Sequence, residues 1–127
     1  MGQQQLLLIV LGVIVVGIAV VVGINLFNAN ATSANRDGVI SDLNNLGAMS
    51  QQYYKKPTSM GGGGNKFTNW TIPTGLDSTA NGTYSATVTA NQVTIVGLGT
   101  ENGTDGSNPV KATATVTGNT ISVAVNN

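Results

Sequence analysis

From Leu6 to Ile24 the chain carries nineteen consecutive residues that are all Leu, Ile, Val, Ala or Gly, and no polar side chain interrupts them. Nothing else in the sequence constrains the fold as strongly. As a helix rising about 1.5 Å per residue, the run spans roughly 28 Å, close to the hydrocarbon thickness of a bilayer. It is apolar on every side and has no face to offer water. Its many β-branched residues lower helix propensity in water. In lipid, however, the backbone must satisfy its own hydrogen bonds, and helix does this within one segment.

Three fates suit such a run. A cleaved secretory signal would carry a basic stretch ahead of an apolar core of about 7 to 15 residues. Here the basic stretch is missing and the core is longer, although Ala29, Ala31 and Ala34 imitate a cleavage site. A single-pass anchor would normally carry flanking Lys or Arg to set its orientation, and the first such residue is Arg36. The third fate is a bundle of identical helices. Gly12, Gly17 and Gly23 fall at spacings of five and six, not the spacing of four that supports a tight pairwise dimer. They still permit close helix approach and ease local unwinding. Residues 1–27 are therefore expected to form a membrane- or filament-core helix half. The side chains expected in that core are Gln5, Leu6, Leu7, Leu8, Ile9, Val10, Leu11, Val13, Ile14, Val15, Val16, Ile18, Val20, Val21, Val22, Ile24 and Phe27, with Gly17 and Gly23 as the places for unwinding.

Residues 28–56 read as an amphipathic continuation of the same helix. Val39, Ile40, Leu43, Leu46, Met49 or Ser50, and Tyr53 recur at intervals of three and four, the period of one apolar helical face. Asn44, Asn45, Gln51 and Gln52 are expected on the other side. Lys55 and Lys56 suit the negative end of the helix dipole, and Pro57 cannot continue the helix. Continuous from Gln3 to Lys56, it would be about 80 Å long. Half of such a helix would project beyond a head of this size and would need lipid or other copies around it.

Residues 57–127 read as a Gly-rich connector and a β head. The four glycines from Gly61 to Gly64 lack the surrounding residues of a phosphate-binding loop and suggest a flexible linker. Phe67, Trp70, Ile72 and Leu76 are expected to cover one edge of the core. Four alternating, β-branched runs follow, 84–89, 92–98, 110–117 and 120–125, with Gly118-Asn119 as a two-residue hairpin signal. The predicted fold class is α+β: a long N-terminal α-helix, hydrophobic in its first half and amphipathic in its second, packed on a four-stranded antiparallel β-sheet. Glu101 and Asp105, in the Gly-rich loop 99–109, offer oxygen ligands of the kind calcium takes, but a solvated turn explains them more simply. Asn30, Asn69, Asn81 and Asn102 begin N-x-S/T triplets, about the number that 15 Asn in so Ser- and Thr-rich a chain produce by chance.

Composition closes several functional classes. There is no Cys and no His, which removes disulfides, thiolate nucleophiles, most zinc sites and the usual general base. Charged residues are 8% of the chain, against roughly 25% in a typical globular protein, and no basic patch exists for nucleic acid. Hydroxyl residues abound, but none has a base at hand to activate it. The chain reads as a non-enzyme with no catalytic residue, no cofactor and no metal. A surface of Asn, Thr, Ser and Gly suits a protein packed beside copies of itself, and equally suits secreted proteins in general.

In the order of its parts the whole chain resembles a type IV pilin or the related pseudopilin of type II secretion. In sequence the resemblance lies in about the first 27 residues. It implies a structural subunit, a major pilin, that polymerises through its hydrophobic helix into an extracellular, cell-surface filament used for adhesion, motility or contact. The implied partners are copies of itself in a helical homopolymer, the inner membrane before assembly, a prepilin peptidase, a cytoplasmic assembly ATPase and a platform membrane protein. A pseudopilin or minor pilin, or a monomeric membrane-anchored or secreted β-domain, are the alternatives. The family's leader ends in Gly, which makes Gly2 and Gln3 the processing candidates; the mature chain then starts at Gln3, or at Met1, or the leader stays uncut. A Glu is common five residues into the mature family chain, and that position is Gln5 or Leu7 here. The family's helix-kinking Pro is absent. Phe27, Tyr53 and Tyr54 raise electron transport along stacked aromatics, but the tyrosines are better placed to pack the helix on the sheet.

Overall fold

The structure, a computed structural model, describes residues 2–127. One helix, α1 (Gln3–Lys55), is followed by a short 3-10 turn at Thr58–Met60 and five strands. The strands are β1 (Ser78–Thr79), β2 (Gly82–Val88), β3 (Val93–Asn102), β4 (Pro109–Val116) and β5 (Ile121–Val125). The chain divides into two compact units, one ending at Ala31 and one beginning at Thr32.

In the first unit every described residue from Gly2 to Asn30 is exposed. Its helix is unbroken through Gly12, Gly17 and Gly23. The run is long and apolar enough to cross a membrane, so this much of the expected anchoring potential is present.

In the second unit α1 has a buried side. Asn35, Val39, Leu43, Leu46, Gly47 and Ser50 are buried, which is the helical period read from the sequence. They meet an antiparallel meander in the order β1-β2-β3-β4-β5. Alternation does the rest: Val110, Ala112, Ala114 and Val116 of β4 are fully buried while Lys111 between them is exposed. Phe67, Leu43, Ile95, Val39 and Val93 are the largest fully buried apolar side chains, and burying each stabilises the fold by about 1.5–3 kcal/mol. Gly97 lets the helix come close, because a Cβ there would stand 2.9 Å from both Val39 Cγ1 and Tyr84 Cε1. The α+β class is thus the observed one, and Phe67, Trp70, Ile72 and Leu76 all join the core.

Three expectations need correction. The sheet has five strands, not four, because Ser78 and Thr79 pair with Thr83 and Gly82 across a two-residue turn; two residues are too few to show alternation. The tetraglycine is an ordered cap on α1 and not a free linker. Gly63 N donates to Tyr53 O at 2.8 Å, Asn65 N to Tyr54 O at 2.7 Å and Gly64 N to Lys56 O at 3.0 Å, so carbonyls that the helix end leaves open are satisfied. A side chain at Gly63 would collide with Lys66 O, which explains glycine there. Last, Gln51 is half-buried and donates to Thr117 O at 3.1 Å; a long amide at the rim of the helix face reaches the β4–β5 turn.

Candidate functional site

The residues expected in a filament or membrane core form one surface. Leu6, Leu7, Leu8, Ile9, Val10, Leu11, Val13, Ile14, Val15, Val16, Ile18, Val20, Val21, Val22, Ile24 and Phe27 are all exposed, from 52% at Val22 to 72% at Phe27. Leu26, which the sequence reading left out, belongs with them at 61%. Monomeric soluble proteins rarely expose contiguous apolar patches above a few hundred Å². A helix with this surface is compatible with anchoring in a membrane.

The leader candidates lie at the polar end of this surface. Gln3 opens α1, Gly2 directly precedes it, and Gln5 N donates to Gly2 O at 3.1 Å. Gln3, Gln4 and Gln5 are exposed, and no acid stands in the first turn. Met1, the alternative mature start, lies outside the described residues. Gly17 and Gly23 sit in regular helix, and a Cβ at either would have nothing within 4 Å.

The second unit carries a polar anchor that the sequence reading missed. Asp42 stands on the inward side of α1, one turn from Val39 and Leu46. Its Oδ2 accepts from Thr79 Oγ1 at 2.8 Å, Asn81 Nδ2 at 3.1 Å and Tyr84 OH at 2.5 Å. Burial pulls its pKa upward, but the donors Tyr84, Asn81 and Thr79 outweigh it and hold the carboxyl below its ordinary value. The same contact acts the other way on Tyr84: burial, then the hydrogen bond to Asp42, push the phenol above its usual range. One carboxylate thus ties helix, β1–β2 turn and β2 together.

Asn35 makes a second tie. It is 8% exposed. Its Nδ2 donates to Asn81 O at 2.8 Å and Thr100 Oγ1 at 3.2 Å, and its Oδ1 accepts from Thr100 N at 3.1 Å and Glu101 N at 3.2 Å. The β3–β4 register shifts between Leu98 and Asn102. Such a bulge frees backbone N–H groups from the ladder, and the Asn35 amide receives two of them. Both anchors were legible in principle, since Asn35 and Asp42 share the period of Val39 and Leu46; a polar residue at an inward position implies waiting partners.

The acidic loop is occupied by its own turn. Asp105 Oδ1 accepts from Ser107 N and Asn108 N at 3.0 Å and from Asn127 Nδ2 at 3.2 Å, while Oδ2 accepts from Asn108 Nδ2 at 2.8 Å. The backbone N–H groups of Asn108 and Ser107, then the side chains of Asn108 and Asn127, hold this carboxyl well below the usual range. Arg36 reaches the loop from α1 and donates through Nη2 to Thr104 Oγ1 at 3.2 Å. Among the asparagines that begin N-x-S/T triplets, Asn30, Asn69 and Asn102 are exposed, whereas Asn81 is half-buried with its amide on Asp42.

Against this geometry, no family model matches the sequence, and no curated protein or solved structure is significantly similar to it.

Proposed function

We propose that this chain is a structural subunit, a major pilin, that polymerises through its hydrophobic N-terminal helix into an extracellular type IV pilus-like filament. The observation that carries the reading is the contrast within one chain. An apolar helical surface from Leu6 to Phe27 lies open on all sides, while the unit from Thr32 onward has its own finished core. Transfer of apolar surface out of water is favourable by about 25 cal/mol per Å², so the helix has a strong drive toward lipid or toward its own kind.

A bilayer is the first solvent and a bundle of identical helices the final one. The inner membrane holds the unassembled subunit, and a prepilin peptidase and the assembly machinery act on it. In this reading Gln3, Gln4 and Gln5 take the place of the family's buried acid. Their amides hydrogen-bond without the desolvation cost that an ionised carboxylate carries into an apolar bundle. Helix register in the polymer is then set by packing and by these amides.

Filaments sheared from cells, imaged, and sequenced at the subunit's N-terminus test the proposal. The expected result is a fibre whose subunit begins at Met1 or Gln3. A protein found only as a detergent-soluble monomer, with no fibre under any condition, would leave it a membrane-anchored β-domain. An N-terminus beyond Phe27 would make the helix a discarded signal.

A further inference from the structure

A cavity of about 70 Å³ opens between the middle of α1 and the loop ahead of β1, lined by Asp42, Asn45, Leu46, Met49, Leu76 and Thr79. All six residues belong to the unit that begins at Thr32. Leu46 is buried, and Met49 and Leu76 pack half-buried against the core, so the walls are chiefly hydrocarbon. Among the described residues Asp42 is the single charged one in the lining, which also includes Asn45 and Thr79.

Asp42 is only half engaged. Its three donors all meet Oδ2; among the described residues no hydrogen bond to Oδ1 is formed. None of the groups acting on its charge is a cation. Meanwhile Lys55, Lys56, Lys66 and Lys111 are all exposed, and Arg36 is already committed to Thr104 and Asn127. A chiefly apolar pocket whose lining includes a carboxylate with no cation beside it suits an alkyl stem carrying a primary ammonium. Lysine buries its methylene stem against apolar surface while its head keeps polar partners, and an N⁺–H···O⁻ bond is stronger than a neutral one. A purely apolar plug would instead cover the carboxylate without pairing it, which costs free energy.

We propose that this pocket receives a lysine side chain from a second copy of the chain, its stem against Leu46, Met49 and Leu76 and its ammonium on Asp42 Oδ1. The proposal rests on the homopolymer reading, and it makes Asp42 a contact between heads as well as an anchor within one. In a protein with five acidic and five basic residues, such a pair is a large share of the charge available to fix how copies meet.

The test uses full-length protein, half of it ¹⁵N-labelled, assembled together and treated with a zero-length carbodiimide that joins carboxylates to amines in contact. The expected result is a mixed-isotope amide between the Asp42 peptide and a lysine peptide as the most abundant cross-link. It should fall at least ten-fold when n-butylammonium is present and far less with methylammonium, an equally reactive primary amine without the stem, at equal concentration. Intermolecular cross-links confined to Asp37, Asp77, Glu101 or Asp105, or equal loss with both salts, would overturn the pocket while leaving the filament intact. Failure to assemble at all would sink the homopolymer reading, and with it the neighbour's lysine. The pocket chemistry is then decided on the detergent-solubilised chain: n-butylammonium must shift the Met49 methyl resonance saturably and tetramethylammonium must not, and no shift overturns the pocket too.

Discussion

Glycine separates the two regions of this molecule. In the first, Gly12, Gly17 and Gly23 stand on a helix surface where an added Cβ would meet nothing within 4 Å. In the second, a Cβ at Gly38 would stand 2.5 Å from Asn81 Oδ1 and one at Gly97 2.9 Å from Val39 Cγ1. The head has consumed its close-approach sites in its own packing, whereas the apolar helix has left its sites open. Exposure says the same: Val39, Leu43 and Ile95 are fully buried, while Val16 is 62% exposed. One unit has a buried core of its own and the other exposes its apolar side chains. Interchanging these conditions by mutation should give opposite phenotypes in the two units.

The largest effect is expected from Val16→Arg. A charge at the centre of a spanning helix costs roughly 2.5–3.5 kcal/mol on insertion scales, and a helical bundle repeats that cost once per subunit. Filament yield should fall to background in shearing assays. The head of the detergent-solubilised variant should keep the near-ultraviolet circular dichroism of Trp70 and Tyr84, both buried there. Normal fibres from this variant would contradict a helical core and erase the distinction between the regions.

Next comes Phe67→Ala in the head. Phe67 is fully buried, and its ring lies 4.7 Å from that of Tyr54. Truncating a core aromatic costs about 3–5 kcal/mol through lost transfer free energy and the cavity left behind. Urea unfolding in detergent, followed by Trp70 fluorescence, should show a midpoint lowered accordingly. Asn35→Ala should cost less, about 2 kcal/mol, because it strands the Thr100 and Glu101 N–H groups at the bulge. An unchanged midpoint would mean that water reaches these groups and that the bulge is not held by Asn35.

The helix and the four longer strands were legible because long periodic segments speak for themselves. Val39, Leu43 and Leu46 announced the helix face, and the alternating runs 84–89, 92–98, 110–117 and 120–125 announced β2 to β5. What the sequence hid were features made by contact between distant residues. Asp42 meets Thr79, Asn81 and Tyr84 from 37 to 42 positions away, and composition carries no trace of such a meeting. The tetraglycine misled for a related reason: glycine marks a free linker and a close backbone approach equally. Only the nearness of Lys56 and Lys66 to those glycines decides between them. The apolar surface, by contrast, was visible in full apart from Leu26, since its meaning lies in an unbroken run.

A smaller effect, read through pH, sharpens the contrast further. Asp42 is held below its ordinary value of 3.8. Its ionised form therefore stabilises the folded head, fully above that pH, and the contribution fades as pH falls below it. Tyr84 is held above its ordinary value of 10.0, so its neutral form stabilises the head up to that pH and loses ground as pH rises further. The head's thermal midpoint should be flat between these limits and fall on both sides. Tyr84→Phe should flatten the alkaline fall, because the ionising phenol beside Asp42 is gone. Residues 3–31 hold no ionisable side chain, so backbone hydrogen exchange in that segment, corrected for intrinsic rates, should not change across the same range. A pH-dependent opening there would break the separation of the two units.

Gly17→Ala carries the smallest energy and asks the finest question. In a helix interior Ala is favoured over Gly by about 1 kcal/mol, and the added methyl meets nothing in the isolated chain. The detergent-solubilised monomer should therefore tolerate the change, with hydrogen exchange near Gly17 slowed by about five-fold. Assembly should respond in the opposite direction. If copies approach closely at Gly17, or if the helix unwinds there as it enters the bundle, the methyl is an obstacle and the stiffer helix a penalty. Both predict slower filament growth from a more helical subunit. Growth at the wild-type rate would keep the bundle but move its point of close approach away from Gly17, leaving Gly23 to be tested in the same way.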